Sequence, residues 1–111
     1  MSSSFDLNGK VALVTGSSSG IGRAAAEALA ANGARVAINF HHNEAGAEAA
    51  RAKIAGDGGE AIIVQADVTN SSQVQSLVEQ TVSEFGPIDI LVNNAGSLVE
   101  RLKLLELTEE R

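Results

Sequence analysis

Three glycines and three serines crowd the stretch Val14-Thr15-Gly16-Ser17-Ser18-Ser19-Gly20-Ile21-Gly22. The glycines fall at 16, 20 and 22, behind a short apolar run and ahead of a helical pattern. A turn that opens a helix directly after a strand is chemically useful. The first helical N–H groups have no partner, and the helix dipole places partial positive charge there, so a pyrophosphate is well received. In such a turn Gly16 permits a tight exit from the strand, Gly20 lets phosphates approach the backbone with no Cβ in the way, and Gly22 lets the helix lie close to the sheet. Ser17, Ser18 and Ser19 add hydroxyls able to donate to phosphate oxygens. The alternative is a flexible Gly/Ser loop with no ligand. The strand–turn–helix context favours the phosphate reading.

A second group of residues follows the second apolar run. In dinucleotide-binding turns a carboxylate at that place accepts from a ribose 2′-OH and repels a 2′-phosphate. Here the residues are Phe40, His41, His42 and Asn43, and no acid occurs before Glu44. A phosphate beside an imidazole favours its charged form. The same two histidines also suit an exposed loop with no ligand. Adjacent side chains diverge on either regular element, so no metal pair is expected of them.

The elements that must carry these residues are legible from periodicity. Asn8-Gly9 marks a turn, and Lys10–Gly16 reads as a buried strand. From Gly20 to Asn32 the period becomes helical. Ile21, Ala25 and Leu29 form an apolar stripe flanked by Ala24 and Ala28, and Asn32-Gly33 is the stop. Ala34–Phe40 is a second strand. A second helix runs from about Glu44 to Ala55, with Asn43 as cap and Gly56 as stop. Ala61–Ala66 is a third strand. Asn70 and Gln73 form a capping-box-like pair. Val74, Leu77, Val78, Thr81, Val82 and Phe85 give a third helix its apolar face, and Gly86-Pro87 ends it. Ile88–Gly96 is a fourth strand running into a turn. Leu98, Leu102 and Leu105 suggest an irregular segment, and Thr108 with Glu109 and Glu110 reads as the opening of another helix. Strands alternating with helices imply a parallel sheet with right-handed crossovers.

Composition narrows the function. The 111 residues allow one domain at most. Apolar residues make up 44%, enough for a core, with few aromatics, so small aliphatic side chains do the packing. The net charge is −6 and no Lys/Arg cluster exists, which argues against nucleic acid or an anionic membrane as partner. There is no cysteine, hence no disulfide framework and no thiolate metal site. The amino terminus Met1-Ser2-Ser3-Ser4-Phe5-Asp6 lacks an apolar leader segment, so a cytoplasmic protein is the expectation.

The Thr15-Gly16…Gly20-Ile21-Gly22 pattern resembles the short-chain dehydrogenase/reductase family. Three further stretches match that family in order and spacing: the lead-in Leu7–Gly16, the turn Ala66–Asn70, and Asn93-Asn94-Ala95-Gly96 after the fourth strand. The flavour is that of 3-oxoacyl-carrier-protein reductases. The resemblance implies an α/β Rossmann-type parallel sheet of strand order 3-2-1-4 with flanking helices, cut off after the fourth strand. Residues 1–111 would then be the N-terminal half of one dinucleotide-binding domain, with residues 1–5 disordered. It implies NAD(P)(H)-dependent exchange between an alcohol and a carbonyl. Gly16, Ser18, Ser19, Gly20, Ile21 and Gly22 would face the pyrophosphate. His41, with His42 beside it, falls where NADP enzymes touch the 2′-phosphate, so NADP is favoured over NAD. Relatives often place an arginine where this chain has Ser19. Asp67 would accept from the adenine amino group with the Val68 N–H nearby; read alone, Asp67 equally suits a turn that bonds its own backbone. Asn94, Ala95 and Gly96 would line the ribose, while Asn93 can simply satisfy backbone groups at a strand end.

The family's proton-donating tyrosine, with a lysine four residues later, has no counterpart, because the chain contains no tyrosine. No catalytic residue and no metal ligand is therefore assigned, and these 111 residues alone are expected to be inactive. Two rivals stand beside this reading. One is a non-catalytic dinucleotide-binding module, the better description if 111 residues is the natural length. The other is a nucleoside-binding methyltransferase, which leaves Asn93–Gly96 without explanation. The expected partners are the dinucleotide and, in a full-length parent, a small carbonyl or alcohol. Copies of the chain are expected to associate, because the fourth strand presents an apolar edge.

Overall fold

The computed structural model describes residues 6–94. The expectations for residues 1–5, for Ala95 and Gly96, and for everything from Leu98 onward lie outside the described residues.

Among the described residues four strands and three helices alternate: β1 Val11–Val14, α1 Gly20–Ala31, β2 Arg35–Phe40, α2 Glu44–Gly56, β3 Glu60–Gln65, α3 Ser71–Phe85 and β4 Ile90–Val92. The strands form one parallel sheet in the order β3-β2-β1-β4. In register, Val11 faces Arg35, Arg35 faces Glu60, and Ala12 faces Ile90. Every element type agrees with the periodicity, and the strand order with the one the resemblance implies. β1 and β4 are shorter than the runs Lys10–Gly16 and Ile88–Gly96, since Thr15 and Gly16 turn out of the ladder, whereas β2 starts one residue later and β3 one residue earlier than expected.

Side-chain alternation explains why β1 reads as continuously apolar. Ala12 and Val14 point to one face, where they meet Val36, Ile38, Ala26 of α1, and Ala47, Ala50 and Ile54 of α2. Leu13 points to the other, where it packs with Ala37, Val64, Ala66 and Leu77 of α3. Both faces of the strand are covered, so neither can be polar. The Thr81 hydroxyl is buried within α3 and is satisfied by donating to the Leu77 carbonyl at 2.8 Å.

Of the expected α1 stripe, Ala25 and Leu29 are partly buried against the core and Ile21 is not. Gly22 and Ala26 are buried, whereas Ile21 is 81% exposed and Ala24 and Ala28 are exposed. The reason is close packing: a glycine and an alanine, not the bulkier Ile21, take the positions nearest the sheet. Val82 of α3 likewise stands 40% exposed, at the flank of the face that buries Val74, Leu77 and Thr81.

Two of the three helices are capped as their sequences suggest. Asn43 Oδ1 accepts from the Gly46 N–H at 3.0 Å, and Asn70 Oδ1 from the Gln73 N–H at 3.1 Å. Only half of the box at α3 forms. Gln73 does not return to the Asn70 N–H; its Oε1 accepts from the Asp67 N–H at 2.8 Å, since the preceding turn brings that donor closer. Asn70→Ala is expected to cost about 1 kcal/mol. The check is a lowered urea midpoint at unchanged denaturant slope; an unmoved midpoint would show that the cap contributes nothing.

Candidate functional site

The turns at the carboxyl ends of β1, β2, β3 and β4 converge on one crest of the sheet, where the strand order reverses between β1 and β4. Gly16–Gly22 lies at its centre. Gly16 and Gly20 have φ of +58° and +63°, in the left-handed region that glycine adopts without strain. A Cβ built on Gly20 meets no atom within 4 Å. One built on Gly22 would collide with the Gly16 carbonyl oxygen and stand 2.9 Å from Asn94 Nδ2. The two glycines thus have opposite surroundings, one open and one packed.

The first turn of α1 is left without a side-chain cap, because Ser19 makes no cap hydrogen bond. Its N–H groups face the crest without the side-chain acceptor that Asn43 and Asn70 give α2 and α3, and no acidic residue stands in the turn. Ser19, Gly20 and Ile21 are exposed and Ser18 is half-buried. Ser17 departs from its expected role as a phosphate donor. It is fully buried, and its hydroxyl donates to the Val14 carbonyl at 2.7 Å and accepts from the Asn39 N–H at 3.1 Å. That hydroxyl is committed to tying the turn to β1 and β2.

Beyond the end of β2, His41 and His42 are exposed, and their rings stack with centroids 3.8 Å apart. The divergence expected of neighbours fails here because both lie past the strand, in a bend. His41 Nε2 stands 4.0 Å from Asp67 Oδ2, at the end of β3. The other Asp67 oxygen closes its own turn, accepting from the Thr69 N–H at 3.0 Å and the Thr69 hydroxyl at 2.6 Å. The Thr69 hydroxyl and N–H, and then His41 and His42, hold Asp67 below the usual carboxylate range. It is therefore an ionised acceptor at neutral pH. The turn-forming role that Asp67 suits when read alone is realised, and it leaves Oδ2 facing the crest.

At the end of β4 the Asn94 N–H donates to Thr15 Oγ1 at 2.9 Å, and Asn94 Nδ2 donates to the Gly16 carbonyl at 3.2 Å. Thr15 Oγ1 in turn donates to Asn93 Oδ1 at 3.4 Å. Asn94 thereby locks β4 to the glycine turn. Of the residues singled out from sequence, the structure brings Gly16–Gly22, His41, His42, Asp67, Val68 and Asn94 onto this one crest.

A cleft of 720 Å³ occurs elsewhere, at the amino ends of β2 and β3, lined by Asn32–Arg35 and Asp57–Glu60 among others. Both cations in its lining are already paired, Lys53 with Asp57 at 3.2 Å and Arg35 with Glu60 at 3.9 Å. In open parallel sheets ligands bind at the carboxyl ends of the strands, so the crest is the functional candidate.

A parallel sheet of order 3-2-1-4 with a glycine turn at its reversal point defines a Rossmann-type nucleotide-binding protein. The family model for short chain dehydrogenases matches residues 10–111, and the chain belongs to that family of nicotinamide-dinucleotide oxidoreductases. It is 51% identical over 104 residues to an uncharacterized oxidoreductase of Methylorubrum extorquens, covering 94% of this chain and 42% of that protein. It is 49% identical over 102 residues to a 3-oxoacyl-[acyl-carrier-protein] reductase of Synechocystis, covering 88% of this chain and 41% of that one. A dehydrogenase/reductase structure from Sinorhizobium meliloti superposes with a TM-score of 0.80 at 41% identity, over 82% of this chain and 36% of that chain. The chain thus spans about two fifths of the length of such relatives.

Proposed function

We propose that this chain is the cofactor-binding half of an NADP(H)-dependent short-chain reductase acting on an alcohol/carbonyl pair, with a 3-oxoacyl thioester as the substrate class. The observation that carries the cofactor reading is the uncapped first turn of α1 above an open Gly20. The residues present fit a dinucleotide. Backbone N–H groups of the Gly16–Gly22 turn, with Ser18 and Ser19, would hold the pyrophosphate, and the exposed Ile21 would pack against the bound molecule. His41 and His42 would meet a 2′-phosphate, Asp67 and Val68 the adenine, and Asn94 with Ala95 and Gly96 the ribose. Support for NADP over NAD is the missing carboxylate after β2, so nothing there repels a phosphate. The substrate class rests on the likeness to the Synechocystis reductase. Hydride is the chemistry the dinucleotide supplies when bound; this chain's residues bind and orient it. We propose further that the protein works in the cytoplasm and as a homo-oligomer.

Titration of the chain with NADPH and NADH tests this reading. NADPH is expected to bind more tightly, and a 3-oxoacyl thioester to be turned over at well below about 1 s⁻¹, a low rate for an enzyme, since no tyrosine is present to supply a proton. Gly20→Ala places a methyl in the phosphate path and is expected to weaken NADPH at least tenfold, about 1.4 kcal/mol. Equal affinity in variant and parent would exclude the turn as the site.

A further inference from the structure

Asn39 is a polar side chain in the interior of the protein, 3% exposed and in β2, which lies between β3 and β1. Its Oδ1 accepts from the Gly16 N–H at 3.0 Å. Its Nδ2 faces the carbonyls of Ala66 at 3.2 Å and of Val64 and Phe40 at 3.4 Å. The amide orientation follows from these partners, because the reverse would set an N–H against an N–H and an oxygen against three oxygens. The backbone of the same residue is paired with Ser17 in both directions: the Ser17 N–H donates to the Asn39 carbonyl at 2.9 Å, and the Asn39 N–H to Ser17 Oγ at 3.1 Å. Opposite, Asn94 Nδ2 holds the Gly16 carbonyl.

We propose that Asn39 is a positioning residue for the glycine turn. Its side chain holds the Gly16 peptide from the β2 side and couples it to the end of β3, so the turn is set in its phosphate-receiving shape before any ligand arrives. Three observations support it. Gly16 stands at φ +58°, a conformation open to many others in a glycine unless something holds it. The Gly16 peptide is gripped at both ends, its N–H by Asn39 and its C=O by Asn94, from strands on opposite sides of β1. An apolar residue would satisfy the burial at position 39 but would leave the part-buried Gly16 N–H without its side-chain acceptor. The proposal concerns the turn itself; its consequence for cofactor affinity rests on the function proposed above.

The experiment combines a direct probe of the bond with a binding probe. In the parent chain, NMR is expected to show scalar coupling across the hydrogen bond between the Gly16 amide nitrogen and the Asn39 side-chain carbonyl carbon. In Asn39→Ala, or in Asn39→Ser where alanine does not fold, the Gly16 amide is expected to exchange with solvent about tenfold faster, while the Ser17 amide stays protected. NADPH should weaken by about tenfold and adenosine 2′-monophosphate, which has no pyrophosphate, by less than about twofold. Absent coupling together with unchanged Gly16 exchange would overturn the proposal. So would equal losses of both ligands, which would mark Asn39 as a general stabiliser only, or unchanged NADPH affinity with a loosened Gly16. A parent chain that binds neither ligand would refute the cofactor reading, and the Gly16 amide signals would still decide whether Asn39 holds the turn.

Discussion

Gly22→Val is expected to destabilise the protein by about 3 kcal/mol or more, a large share of the ~5–15 kcal/mol that holds a typical domain. The added Cβ would collide with the Gly16 carbonyl oxygen, and Asn94 Nδ2 would be only 2.9 Å away. Neither neighbour can retreat cheaply. Gly16 is held through its N–H by Asn39, and Asn94 through its N–H by Thr15. Relief therefore means breaking the Asn94–Gly16 bond, costing about 1 kcal/mol, and tilting α1 off the sheet at about 1–3 kcal/mol for overpacking. Valine's better helix propensity recovers only a few tenths of a kcal/mol. Gly56→Ala is the contrasting control. It too is helical, but a Cβ there meets nothing within 4 Å, so a neutral effect or a gain of about 0.5 kcal/mol is expected. Urea unfolding followed by far-UV dichroism checks both. Parent-like stability of the Gly22 variant would refute the close helix–turn approach.

The 111-residue polypeptide is expected to associate rather than persist as a dilution-stable monomer. Among the described residues β4 is paired on one side only, with β1. Ile90, Leu91 and Val92 are each only partly buried, and the strand contains neither the proline nor the lysine that commonly blunts an edge. The outer edge at β3 differs, since Glu60 and Gln65 are exposed at its two ends. Covering ~300 Å² of apolar surface at ~25 cal/mol per Å² corresponds to ~7 kcal/mol, enough to drive pairing between copies. The charge of −6 opposes this but is screened beyond ~8 Å at physiological salt. Sedimentation equilibrium with far-UV dichroism measures it. A folded monomer at micromolar concentration would mean that the β4 edge is covered from within the same chain.

Element types, their order and the location of the phosphate turn were determined by the sequence alone, because they rest on local signals. Apolar residues recur with a strand's or a helix's period, glycines stand where the backbone must turn, and Asn43 and Asn70 sit one residue before their helices. Strand order followed from the resemblance, and the sheet has it. What the tertiary structure decided depends on distance through space. Ile21 carried the periodic stripe of α1 but is exposed, since Gly22 and Ala26 allow a closer approach to the sheet than any larger side chain. Ser17 is chemically the equal of Ser18 and Ser19, and only the path of the chain buries its hydroxyl against Val14 and Asn39. Asn39 stands inside an apolar run with no motif of its own, although a lone amide in a strand covered on both faces is itself a signal that buried backbone groups need a partner. Which groups those are, the Gly16 N–H and the carbonyls of β2 and β3, is settled only when three segments distant in sequence meet. A hydrogen bond is specified by the positions of both its partners, and one residue's type names only half of it.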